Sequence, residues 1–225
     1  MKFFTIVKDY SERLPGKNFL DLEGTPLWRH TVNRFSSHEV FVNTDSGRLL
    51  SADDSTIPDS VKIYKRSQEH VDWEAESDRR GSPVNAMLGE FFEKYVDEDD
   101  EPVVLFHVTS PFVRLETILD ASRHLGAYSS VHSVQRIRDF AWLEGGGDHY
   151  PVNFSEDIVA RTQDLPSLLL SRGAFFILTK EAFSRNSSRD ARPRYFYELS
   201  PVESIEIDTS GDFALAQAVA KGTRP

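Results

Sequence analysis

Residues 103–108, Val-Val-Leu-Phe-His-Val, leave no polar face when read as a strand: both sets of alternating side chains are apolar except for one histidine. Such a strand needs cover on both sides, which places it in the middle of a sheet sandwiched between helices. The surrounding sequence supplies the layers. Residues 3–7 and 173–178 (Gly-Ala-Phe-Phe-Ile-Leu) are further buried-strand candidates, and 40–43, 61–65 and 129–135 read as shorter strands. Helical patterns fall at 27–35, at 83–95, at 115–125, in a short stretch from Lys180, and at 212–220. The second of these has Pro83 near its start and Met87, Leu88, Phe91 and Phe92 at helical spacing. Residues 204–208 read as a last strand. The alternation predicts a three-layer α/β fold with a mostly parallel mixed sheet. A length of 225 residues is expected to form one domain, 1–225. Within it residues 136–172, around Gly145–Gly147, show the least periodicity and are read as an inserted lid or dimerisation segment.

Charge and cysteine content narrow the partners. A formal net charge of -10 opposes indiscriminate binding to nucleic acid or anionic lipid. No stretch approaches the roughly 20 apolar residues that span a bilayer, and the opening MKFFTIVKDY turns polar too early for a signal peptide, so a cytoplasmic protein with no membrane partner is expected. With no cysteine, any metal rests on oxygen or histidine ligands, which favours a hard cation.

Two segments carry the most chemistry. The loop after the first strand, residues 8–18, gathers Lys8, Arg13 and Lys17 with the Ser11 hydroxyl and a flexible Gly16. At the carboxyl end of a parallel strand, those groups suit a polyphosphate and the charge of a departing pyrophosphate, although they also describe a solvated basic loop. The loop matches neither a Walker sequence nor a dinucleotide fingerprint. Glu206 and Asp208, two apart on the last predicted strand, would project from one face and share a hard cation, magnesium being the natural choice, or form a solvated acidic face. Thr109 and Ser110 follow the central strand and fall at the same edge. His107, within that strand, fits a core histidine as well as a substrate contact. Ser82, just before Pro83, suits an N-cap and a ligand contact alike. Phe175 and Phe176 alternate faces, so at least one belongs to the core.

Taken in order, these pieces resemble the CMP-sialic acid synthetase (acylneuraminate cytidylyltransferase) family, which is related to CMP-KDO synthetases. Ser11-x-Arg13-x-Pro15-x-Lys17-Asn18 is similar to its signature loop, and residues 20–27 and 42–46 to the segments after it. Residues 108–111 with Arg114 resemble its central-strand end. Arg161-Thr-Gln-Asp-Leu-Pro166 and residues 173–177 resemble its acceptor-sugar region, and Ile205-Glu-Ile-Asp-Thr209 with Asp212-Phe213 its terminal metal-binding strand and helix. The resemblance implies a Rossmann-like nucleotide-sugar transferase fold and a magnesium-dependent transfer of CMP from CTP to a sialic acid-like acidic sugar, releasing pyrophosphate. It implies catalytic roles for Arg13, Lys17 and Asp208. Lys8, Ser11, Arg13, Lys17, Asn18, Arg66 and Ser82 would bind the nucleotide, and His107, Thr109, Ser110, Arg161, Gln163, Phe175 and Phe176 the sugar, with Arg161 receiving its carboxylate. Asp208 and Glu206 would hold Mg2+, and the chain would form a homodimer whose middle segment reaches the partner.

Four positions depart from the family pattern. Lys8 stands in place of arginine, His107 of glutamine, Arg172 of a neutral polar or acidic residue, and Glu206 of aspartate. They leave open a nucleotidyltransferase with another sugar or nucleotide, and a homologue that binds nucleotide or sugar without turnover.

Overall fold

The computed structural model describes residues 1–51, 55–75, 82–158 and 160–222, and for 74 and 75 the backbone alone. Its main sheet has seven strands in the order β11-β7-β10-β6-β1-β4-β5. Their ranges are β1 Lys2–Val7, β4 Glu39–Thr44, β5 Val61–Lys65, β6 Val103–Phe106, β7 Ser130–Ile137, β10 Leu168–Leu178 and β11 Arg194–Glu198, while the short strands β2 (Asp21–Leu22) and β3 (Thr25–Pro26) pair outside it and α2 spans Gly47–Leu50. β5, β4, β1 and β6 are mutually parallel. β10 runs antiparallel to both β6 and β7, and β11 lies parallel to β7 at the sheet's end. This is the mostly parallel mixed sheet expected from the alternation of apolar runs.

The central run behaves as its composition requires. Val104 and Phe106 point into one apolar layer with Phe3, Val40, Val42 and Phe175, covered by α1 (Leu27–Asn33) and α5 (Leu115–Ser122). Val103 and Leu105 point into the other, with Phe4, Phe41 and Phe176, covered by Met87, Leu88, Phe91 and Phe92 of α4 (Pro83–Tyr95). Phe4 stacks on Phe91 with ring centroids 4.6 Å apart, and Phe3 on Phe35 at 5.0 Å. α4 runs back along the sheet: the carbonyl of Tyr95 at its end accepts from Lys2 Nζ at the start of β1. Its first turn therefore lies at the edge where the parallel strands finish.

Several expectations are corrected. Residues 204–208 do not form a strand; Ser204 lies in a turn and 205–208 are irregular chain, tied to the end of the central strand's loop by Ile207 N to Thr109 O at 2.8 Å. One bond and a polar sequence cannot sustain a ladder. The segment read as irregular contains the hairpin β8 (Trp142–Gly145) and β9 (Asp148–Pro151), and β7 and β10 extend to Ile137 and back to Leu168 to make its stem. Between Ser171 and Phe176 the pairing with β7 shifts register. Gly173 at this bulge has φ +64°, a conformation that selects glycine, and it packs close to the His107 ring. The sequence reading also omits β11 and the helix α3 (Gln68–Ala75).

Candidate active site

Alternation along the strands decides which side chains meet at the carboxyl edge. Lys8 follows β1 with the parity of Phe4 and Ile6, Arg66 follows β5 with that of Tyr64, and His107 follows β6 with that of Leu105, all members of the layer under α4. The three therefore rise on the α4 side of the sheet. Ser82 caps α4 at the same edge: its Oγ accepts from Asn85 N. The N-cap reading of Ser82 is thus realised, and its place beside the site is kept.

The basic loop is held by its own polar groups. Asn18 is buried and its Nδ2 donates to Lys8 O at 2.8 Å, so this amide braces the loop against the end of β1. Gly16, at φ +66°, turns the chain into the short 3-10 turn Lys17–Phe19. Asp9 accepts from Ser46 Oγ and from the Arg48 guanidinium, and Asp45 accepts from Asp9 N, joining the loops after β1 and β4. The Arg48 bonds hold the Asp9 carboxyl below its usual range. Ser11 is half-buried in the same loop.

The two segments singled out for chemistry come together from opposite ends of the chain. Asp208 Oδ1 lies 2.8 Å from Lys17 Nζ and 2.8 Å from Arg13 Nη2. Lys17 is largely enclosed, with 13% of its side chain exposed, whereas Arg13 at 67% reaches in from solvent. Asp208 precedes α7 (Ser210–Gly222), and a reciprocal cap fixes that junction: Thr209 N donates to Asp212 Oδ2 while Asp212 N donates to Thr209 Oγ1. Upstream, Glu203 is buried and accepts from Thr117, Ser200 and Arg114; burial disfavours its charge, but these bonds outweigh burial and keep the carboxyl below its usual range. The segment carrying Glu206 and Asp208 is thus pinned at both ends.

Glu206 is half-buried, and its carboxyl is pushed up to about 6, by burial first and by the charge of Asp208 second, with Lys17, Arg172 and Arg13 opposing. A carboxyl whose proton affinity is raised beside a second carboxylate is part of a donor set that a hard cation would relieve. Among the described residues no third acidic or histidine side chain joins them. That arrangement fits Mg2+, which is commonly held by one or two carboxylates with substrate phosphate oxygens completing its shell.

His107 is half-buried, with its proton affinity pushed down to about 4 by burial and then by Arg189, Lys8 and Lys17, while Asp208 pulls the other way. It is a neutral imidazole surrounded by cations. Thr109 and Ser110 are buried beside it, and Thr109 O anchors the acidic segment. Arg66 is 2% exposed and donates from Nη2 to His70 O, with Asp45 3.9 Å from Nη1.

The remaining predicted residues fare differently. Phe175 is fully buried in the layer under α1 and α5, so it is a core residue and presents no surface to a sugar. Phe176 is 6% exposed and belongs to the opposite core, although its edge neighbours His107 at a centroid distance of 6.4 Å. Arg161 and Gln163 are exposed on the insertion, and Arg161 pairs with Asp164 at 2.6 Å. No described contact brings them to Lys17, His107 or Asp208. Arg172 donates to Gln135 at 2.8 Å.

Sequence reasoning missed Asp9, Arg48, Glu203 and Arg189. None carries a motif, and each is placed by a tertiary contact. Arg189 in particular stacks its guanidinium 4.7 Å above the Phe176 ring.

Residues 10–197 match the family model described as Cytidylyltransferase. The chain is 29% identical over 218 residues to the N-acylneuraminate cytidylyltransferase of Streptococcus agalactiae serotype V, covering 90% of this chain and 49% of that one. It therefore spans about half the length of that relative. It is also 28% identical to the CMP-N,N'-diacetyllegionaminic acid synthase of Legionella pneumophila, covering 92% of this chain and 90% of that one. The solved structure of a 4-diphosphocytidyl-2C-methyl-D-erythritol synthase superimposes with a TM-score of 0.67 at 9% identity, covering 97% of this chain and 98% of that one. A CMP:2-keto-3-deoxy-manno-octonic acid synthetase complexed with CTP superimposes with a TM-score of 0.62 at 17% identity, covering 99% and 98%. At these identities the two structures speak for the fold, a Rossmann-like nucleotidyltransferase architecture.

Proposed function

Because the chain belongs to the cytidylyltransferase family, we propose that it transfers CMP from CTP to a sialic acid-like acidic sugar and releases pyrophosphate. The observation that carries this reading is the convergence of Arg13 and Lys17 on Asp208, at the edge where four parallel strands end. A sugar hydroxyl attacks the α-phosphorus and releases its proton to solvent, the bond to the bridging oxygen breaks, and the β- and γ-phosphates leave as pyrophosphate. Arg13 and Lys17, with Lys8, hold that leaving group; their charges oppose the negative charge that grows on it. Ser11, Asn18, Arg66 and Ser82 line the nucleotide side, with Asn18 acting through the loop it braces. His107, Thr109, Ser110 and Phe176 stand on the acceptor side.

Asp208 and Glu206 are the residues that would hold Mg2+, which when bound would neutralise phosphate oxygens. Lys17 and Arg13 then serve a second purpose, orienting Asp208 through their contacts to its Oδ1. Positioning and electrostatics thus account for the catalysis, with no covalent intermediate on the protein.

The arm beyond the sheet supports a homodimer. Phe140, Trp142, Leu143, Tyr150 and Val152 are all exposed on or beside one small hairpin, a concentration of apolar surface that a second copy would cover. Arg161 and Gln163 belong to the same arm, so an acceptor contact from them is read as one made across the dimer. Among the described residues no helix is long and apolar enough to cross a membrane, in keeping with a cytoplasmic enzyme.

Pyrophosphate release with Mg2+ is the direct test, with CTP, UTP, ATP and GTP each offered with sialic, legionaminic, pseudaminic and KDO acceptors. Release confined to CTP and an acidic sugar is expected. A folded protein that binds CTP yet releases nothing with any acceptor would reject transfer. Light scattering of the wild type and of Leu143→Asp would separate dimer from monomer.

A further inference from the structure

We propose that Arg189 receives the carboxylate of the acidic acceptor and so selects for it. This assignment rests on the transfer reading and deepens it. Arg189 lies in the loop between α6 (Lys180–Asn186) and β11. That loop is fastened to the first turn of α4: Arg189 N donates to Asn85 Oδ1 and Asn85 Nδ2 donates to Ser188 Oγ, both at 3.3 Å. The guanidinium is thereby carried over the sheet, 4.7 Å above the Phe176 ring, whose ring neighbours are His107 and His132. Phe176 thus acts as the shelf for a cation, which explains why an aromatic ring with little exposed surface sits at this point.

The state of the guanidinium argues for a missing anion. Its Nη1 is buried and has no hydrogen-bond partner among the described residues. The adjacent acid, Asp190, is engaged elsewhere, with His132 at 3.3 Å and Arg194 at 3.1 Å. The other cations near the site have protein partners: Arg13 and Lys17 meet on Asp208, and Arg172 on Gln135. An enclosed guanidinium nitrogen with no acceptor is costly to keep, and a ligand carboxylate bound by two parallel N–H groups supplies what is lacking. The side on which Arg189 stands favours the acceptor over the nucleotide. It approaches from β10 and β7, beyond His107, whereas Arg66 on β5 and the Lys17 loop on β1 lie towards the opposite end of the sheet. In one chain, Arg161 is directed into its own ion pair with Asp164.

The test compares the acid with its amide. Wild type and Arg189→Gln, which removes the charge and the guanidinium but keeps a polar side chain, would be assayed with CTP, Mg2+ and either N-acetylneuraminate or N,N'-diacetyllegionaminate, whichever wild type turns over, and with the C1 carboxamide of the same sugar. Circular dichroism and a thermal melt would establish that the variant is folded, and Arg189→Lys would provide a second variant that keeps the charge. Loss of a charged hydrogen bond predicts an acceptor KM raised about 10- to 100-fold in Arg189→Gln, a CTP KM within about twofold of wild type, and collapse of the acid-over-amide preference. A folded variant that keeps the wild-type preference would overturn the assignment of Arg189 while leaving CMP transfer standing. Absence of pyrophosphate release by wild type with either acid and with the rest of the acceptor panel would overturn the transfer reading, and this assignment with it.

Discussion

Replacing His107 with glutamine probes the electrostatics of the site at nearly constant size. In the folded chain this imidazole is displaced from the usual 6.5 to about 4, by burial first and then by Arg189, Lys8 and Lys17. Between those pH values the unfolded chain binds a proton here and the folded chain does not. Protons therefore favour unfolding, and stability is lost as pH falls from about 6.5 towards 4. A displacement of that size, at roughly 1.4 kcal/mol per tenfold change in proton affinity, sets a ceiling of about 3.5 kcal/mol. Because the side chain retains part of its solvent exposure, about 2 kcal/mol is the working expectation. Urea denaturation of wild type and His107→Gln at pH 7.5 and pH 4.5 isolates the effect, since other titrating groups cancel in the difference. The variant should gain about 2 kcal/mol on wild type between the two conditions. A difference that stays constant with pH would refute the claim that His107 is held neutral by its surroundings. A difference of opposite sign would mean that the folded state prefers the imidazolium.

Three further outcomes follow from the same geometry. Asp208→Asn removes the charge that gathers Lys17 and Arg13, and should lower kcat by about a thousandfold with an unchanged circular dichroism spectrum; full activity would sink the assignment. For Glu206, raised to about 6, the folded state binds the proton more tightly, so its stabilisation is present below about 4.5 and lost as pH rises through 6. Glu206→Gln should accordingly be more stable than wild type by about 1–2 kcal/mol above pH 6.5 in chelator, with the gap closing below pH 4.5, as thermal melts would show. Phe175→Ala should cost about 3–5 kcal/mol in denaturant titrations but leave the acceptor KM of the folded enzyme within about twofold, as befits a core ring.

What the sequence made legible was what depends on local pattern. The run 103–108 could only be a central strand, and Pro83–Tyr95 is a helix to the residue because a cap, a proline at its first position and an apolar stripe agree. Ser204–Asp208 misled because alternation in Ile205, Glu206, Ile207 and Asp208 looks like a strand whether or not a partner is present; Ile207 is buried under α7 beside Leu22 and Leu27 instead. The hairpin at Trp142–Gly145 and Asp148–Pro151 escaped because its apolar residues face outward and so give no inward period. At the site, Arg13, Lys17 and Asp208 were readable from spacing and resemblance together. Arg189 was not, because its place depends on Asn85, about a hundred residues earlier in the chain.

The single reversed strand, β10, separates two sets of loops within one sheet. Leu168–Arg172 leaves the main sheet at the edge where β1, β4 and β6 end, so the arm hangs from β7 and β10, while the loop that carries Arg13 and Lys17 hangs from β1. Lengthening or trimming the two-stranded stem would move the arm by about 3.3 Å for each residue pair and leave Lys17 and Arg66 where they are. On the proposed reading, the arm can therefore be altered on one half of the scaffold while the loop of Arg13 and Lys17 is left untouched on the other. The register shift at Gly173 marks the point where the reversed strand passes from the arm's stem into the main sheet.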